Sequence, residues 1–160
     1  MSQPLHVHRR VVVRQKIRAS KAQVSEIVSD VESYFSFQPF VTKMVQDAAN
    51  PRLYKITEHI PTPICQWKFS NSFDITFDPV EDHNGRGMDM LATLNHLSFL
   101  FSKLNSSVRV MESEESGVVE VVEILDAQIL FLLAPFIVSL LREAHEVLLQ
   151  RLAESVEGST

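Results

Sequence analysis

VSDVESYFSFQPFV, residues 28–41, puts an aromatic ring at positions 34, 35, 37 and 40 and a proline at 39. Proline clashes with a helical conformation of the residue before it, so Gln38 is biased toward extended backbone. The segment reads as a crossing that packs tightly as an aromatic plug. Upstream, Ser20 precedes Gln23 at the capping-box spacing, and Ala22, Val24, Ile27, Val28 and Val31 recur at helical intervals. This predicts a short helix ending near Asp30 to Ser33. Before it, VHRRVVVRQKIRA, residues 7–19, alternates Val11, Val13, Gln15 and Ile17 against Arg10, Arg14, Lys16 and Arg18, a half-buried strand with a solvated cationic face.

Downstream the texture changes to strands divided by turns. Asn50-Pro51 marks a turn, and RLYKITEHI after it sets Tyr54, Ile56, Glu58 and Ile60 on one face. Pro61 and Pro63 precede CQWKFSNSFDITFD, residues 65–78, whose odd positions are apolar apart from Asn71 and whose even positions are polar or charged. A strand this long is expected to bend strongly. Asn84-Gly85 signals a hairpin, after which Met88, Met90, Ala92, Leu94 and His96 share a face. Residues 97–104 read as an apolar interruption, a loop or turn over a cavity mouth. Strands near 105–112 and 118–126 pair across the polar turn ESEESG. Pro135 then opens a helix running to about Val156, with Ile137, Leu140, Leu141, Ala144, Leu148 and Val156 on one stripe and Gly158 as its cap. The order is strand, short helix, five or six antiparallel strands and a long helix, an α+β chain read as a single domain over residues 1–160.

Composition narrows the chemistry. Of 160 residues, four are glycine, and Met90 stands where a third glycine of G-x-G-x-x-G would follow Gly85 and Gly87, so nucleotide-binding loops are excluded. The single Cys65 cannot form an intramolecular disulfide, and no structural-zinc spacing is present. The longest apolar run, Ile129 to Leu141, covers 13 residues, too few to span a bilayer as a helix. No secretory signal stands out, and the chain reads as cytoplasmic. The first 25 residues hold six Lys/Arg and no acid, whereas residues 111–160 hold ten Asp/Glu against Arg142 and Arg151. With a formal net charge of −5, that asymmetry argues for internal pairing and against nucleic-acid binding.

Residues 28–41 also resemble a segment of the START-like, helix-grip superfamily, often called SRPBCC, in its polyketide cyclase/dehydrase and coenzyme Q-binding-like branch. The pattern V-x-D-V-x-x-Y-x-x-F-x-P-x-V is matched by Val28, Asp30, Val31, Tyr34, Phe37, Pro39 and Val41, and AHEVLLQRLAE, residues 144–154, resembles the family's closing helix. The resemblance implies a curved antiparallel sheet wrapped around a long C-terminal helix, enclosing an apolar cavity. From the pattern alone, the aromatic and methionine stripes are walls of either a solid core or a pocket.

Polar residues placed by parity on apolar faces are the candidates for chemistry. Asn71 lies among Trp67, Phe69, Phe73 and Ile75, where its amide orients a ligand carbonyl or bonds backbone at a bulge. Glu58 shares a face with Tyr54, Ile56 and Ile60; buried there, it becomes a general acid or base, and turned out by twist it is a surface carboxylate. His96 ends the Met88–Leu94 face as a proton-transfer group or a strand cap. His145 lies about 100° from the centre of the closing helix's stripe, at the cavity edge or in solvent. Trp67, Phe69, Phe73, Met88, Met90, Leu141 and His145 form the expected ligand-binding set, and Glu58, His96 and Asn71 the catalytic set. His6-x-His8 lacks a third ligand, so no metal is expected.

No cofactor is expected, and no stable membrane insertion. The expected partner is a hydrophobic small molecule. The expected function is a cofactor-independent enzyme that folds a polyketide- or terpenoid-like substrate and promotes aldol, dehydrative or pericyclic cyclisation in secondary metabolism. The alternative is a non-catalytic carrier of a lipid, sterol or quinone.

Overall fold

The computed structural model describes residues 5–61, 68–83, 85–94 and 101–159. Its elements run β1 (His6–Ile17), α1 (Lys21–Ser29), α2 (Val31–Phe35), β2 (Val41–Gln46), β3 (Leu53–Pro61), β4 (Lys68–Asp82), β5 (Gly85–Thr93), β6 (Phe101–Glu112), β7 (Val119–Leu130) and α3 (Ala134–Glu157). The seven strands make one curved antiparallel sheet in the order β1-β7-β6-β5-β4-β3-β2. α3 rests on β1 and β7, α1 on β5 and β6. This is the α+β helix-grip architecture.

Local chemistry explains most boundaries. The Ser20 hydroxyl accepts from the Gln23 N–H and caps α1. Asp30 then does two jobs: its own N–H closes α1 on the Ile27 carbonyl, and its carboxylate caps α2 through the Ser33 N–H. The aromatic stretch is therefore partly helical. Tyr34 and Phe35 are buried, and Phe35 meets Phe77 edge to face. Gly85 reopens the chain at a φ of 115°, as a tight hairpin from Asp82 demands. Pro135 sits in the first turn of α3, and Gly158 closes it on the carbonyls of Glu154 and Val156.

The charge asymmetry resolves into sheet pairing. β1 lies antiparallel to β7, bringing Arg10 to Asp126 as a bidentate pair at 2.8 and 2.9 Å, and Arg14 to Glu120 at 3.2 Å. These exposed pairs fix register more than they add stability.

One expectation is corrected. Residues 101–104 are not an interruption: β6 begins at Phe101, which pairs with Ile129, and a bulge lies between Phe101 and Lys103. A half-buried strand with Leu104 against a second apolar cluster looks continuous with the hydrophobic run before it. Residues 95–100 lie outside the described residues.

The close approach of β5 to β6 has a direct test. A Cβ on Gly87 would run into the Val108 carbonyl oxygen. Gly87→Ala is expected to destabilise the fold by about 1–3 kcal/mol, read by urea denaturation.

Candidate functional site

The inward faces of the sheet are apolar, with a small number of polar exceptions. β7 sends Val119, Val121, Glu123, Leu125, Ala127 and Ile129 inward, and Glu123 is fully buried among them. An ionised carboxylate without water needs donors. Glu123 has three: the Tyr34 hydroxyl at 2.9 Å, the Ser106 hydroxyl at 2.8 Å and His145 Nδ1 at 2.8 Å. They come from α2, β6 and α3, so the cluster ties three elements to β7. Burial alone would push the Glu123 carboxyl up; the charge of His145 and the three hydrogen bonds overcome it and hold the group below the usual carboxylate value.

His145 shows the reciprocal effect. Burial pulls its imidazole down, but the charge of Glu123, their hydrogen bond and the charge of Glu58 together raise it. Because Nδ1 faces a carboxylate, it carries a proton, which leaves Nε2 as the second proton-bearing position. Tyr34 is pushed well above the usual phenol value, first by burial and then by Glu123, so it stays a neutral donor.

Glu58, on β3, is close enough to His145 for their charges to interact. It is the cross-strand neighbour of Asn71 on β4, and both face inward, Asn71 being buried. Burial pushes the Glu58 carboxyl from 4.5 to about 7, the charge of His145 acting the other way. No hydrogen bond or ion pair reaches Glu58 among the described residues, yet its side chain keeps some accessible surface. Glu58 is thus enclosed enough to be shifted while still keeping accessible surface. Ala92, Leu94, Leu104, Val138 and Leu141 are likewise only half-buried.

Of the residues expected from sequence, Glu58, Asn71 and His145 converge. Phe73 is a buried neighbour two positions along β4 from Asn71, and Leu141 is one turn before His145 on α3. Met88 and Met90 do not join this group. Met90 pairs with Phe77, six residues along β4 from Asn71 and about 20 Å of strand away, and both methionines are buried in the main core. Trp67 and His96 lie outside the described residues, as does the side chain of Phe69, whose backbone in β4 pairs with Ile60 of β3. His145 does not reach solvent: a flank position on the stripe is buried because Glu123 awaits it on β7. Glu123, Tyr34 and Ser106 were not anticipated, although Glu123 interrupts the alternation Val119, Val121, Leu125 and would have been found by the parity rule that found Glu58.

The opposite sheet face carries a groove in which Arg109 pairs with Asp89, while its Asp78 and Asp126 pair with Arg52 and Arg10 beside it. His8 pairs with Asp126, and no group of three metal-ligating side chains occurs among the described residues. No described helix is long and apolar enough to cross a membrane.

No protein-family model matches the chain, and no curated protein matches it in sequence. Solved structures do match. A START superfamily protein from Mycobacterium smegmatis superposes with a TM-score of 0.67 at 19% identity, over 97% of this chain and 99% of that one. The Zhui aromatase/cyclase from Streptomyces sp. R1128 superposes with a TM-score of 0.71 at 13% identity, over 94% of each chain. A truncated norcoclaurine synthase from Thalictrum flavum superposes with a TM-score of 0.64 at 10% identity, over 96% and 99%. The chain therefore has the START-like helix-grip fold.

Two outcomes follow from the electrostatics. Glu123→Ala, which strands His145 and the Tyr34 hydroxyl, is expected to cost about 3–5 kcal/mol in urea denaturation. Glu58 has a raised pKa, so the folded state gains by keeping its proton. That gain is complete below the usual carboxylate range and lost as pH rises through about 7. Glu58→Gln should therefore raise Tm relative to the parent more at pH 8 than at pH 5, by scanning calorimetry.

Proposed function

We propose that this protein is a cofactor-independent, cyclase-type enzyme of the cytoplasm that encloses a hydrophobic polyketide- or terpenoid-like carbonyl compound and promotes its cyclisation by proton transfer. The observation that carries the reading is Glu58, an enclosed carboxylate without a hydrogen-bond or ion-pair partner among the described residues, pushed up to about 7 beside an imidazole charged by Glu123. A base poised near neutrality in a water-poor site is what abstraction of a proton next to a carbonyl requires.

In this reading Glu58 takes a proton from the carbon adjacent to a carbonyl, and the second ring N–H of His145 donates to the oxyanion that develops. The enolate carbon attacks a second carbonyl of the same chain and forms the ring bond. Glu58 returns its proton to the resulting alkoxide, so base and substrate balance without an external reagent. Asn71, beside Glu58, orients a carbonyl oxygen through its amide. The apolar walls restrain the flexible chain and exclude water, the larger share of the acceleration. The aromatase/cyclase and synthase among the matching structures support this class of role.

The test is turnover of linear poly-carbonyl precursors by the parent and Glu58→Gln. The substitution should lower kcat/KM at least about 100-fold with ligand binding retained. The parent rate should rise with pH through about 7, as Glu58 loses its proton. Equal turnover by both proteins would overturn the role of Glu58, and none above buffer by either would favour a carrier of lipid, sterol or quinone.

A further inference from the structure

The charges around the interior also restrict what enters it, and this inference deepens the function proposed above. Every lysine and arginine whose side chain is described lies at the surface or on the outward sheet face. Only Lys21, at the start of α1, and Arg109, committed to Asp82 and Asp89, are half-buried, and the others are exposed. Among the described residues the inward acids and bases are Glu58, Glu123 and His145, joined by the neutral hydroxyls of Tyr34, Tyr54 and Ser106 and the amide of Asn71. Two of the three charged groups are acids. The cation among them, His145, is balanced by Glu123 at 2.8 Å, so its remaining N–H can donate a hydrogen bond but no net positive charge is left for a permanently anionic group.

An organic anion entering this space would be stripped of water with no described cation to meet it, beside one fixed carboxylate and a second that can ionise. Glu58 offers the converse. Its carboxylate has no donor among the described residues, so a ligand that brings one removes an unmet need as it binds.

We propose that the ligand of this interior is an uncharged or cationic apolar molecule that presents a hydrogen-bond donor, best a protonated amine, to Glu58, and that carboxylate- or phosphate-bearing lipids are rejected. The ligand class thereby differs from that of a fatty-acid or phospholipid carrier, whose site needs an inward cation.

Three probes of equal length separate the cases: decylamine, decanol and decanoate, below their micellar concentrations, titrated at pH 8 by isothermal calorimetry into the parent and Glu58→Gln. The expected order is amine, alcohol, then acid, with at least a tenfold spread between the first and last. Glu58→Gln, which keeps the shape and loses the charge, should reduce the amine-to-alcohol ratio toward one. A spread that survives the substitution would trace to the acidic surface and overturn the proposal. Decanoate binding as tightly as decylamine, or none of the three binding, would overturn it as well. The catalytic reading fails separately: a charge preference that depends on Glu58, together with no turnover above buffer by the parent, sinks the enzyme and leaves the ligand class standing.

Discussion

A carboxylate sealed from water is tolerated only if its lone pairs are filled, and Glu123 fills them with donors from three separate elements. Tyr34 reaches it from α2, 89 residues away in the chain, and His145 from α3. Nothing about such a cluster adds stability cheaply, since an apolar replacement of similar volume would often serve as well. What it does is set one arrangement of α2, β6, β7 and α3 against the others, because any slip leaves a buried charge unmet. The same constraint gives His145 its charge and, through it, a second inward carboxylate a neighbour to respond to.

That arrangement gives physical content to the pattern in residues 28–41. Val28 and Val31 pack on or against the core, and Asp30 ends one helix while capping the next. Tyr34 carries the hydroxyl that Glu123 needs, and its ring stacks edge to face on Phe35. The stretch therefore locks the short helices to the sheet with polar contacts at one end and rings at the other.

Much of this was legible because it is local. The Ser20 cap, the alternation of β1 and β4, the Asp82–Gly85 hairpin and the proline start of α3 each follow from one residue type in one conformational role. The pairing of a basic first strand with an acidic later one was readable as charge balance. What periodicity could not supply was partnership across the fold. His145 sits at the margin of its helical stripe, and only the carboxylate on β7 decides that it turns inward. The beginning of β6 was obscured because Phe101 and Leu104 continue an apolar run, and strand and loop look alike within it. Glu58 and Asn71 were visible by parity, but their adjacency is a matter of register between β3 and β4, which no composition reveals.

The central claim is that the interior holds a charged imidazole, fixed by Glu123 and facing Glu58. The direct measurement is a pH titration of the His145 ring nitrogens by NMR on the selectively labelled protein. The account predicts an imidazolium that persists above the ordinary histidine range, with a further inflection near 7 as Glu58 ionises, and a fall in the His145 value in Glu123→Gln. A ring that is already neutral at pH 6.5, or whose titration is indifferent to Glu123, would contradict it.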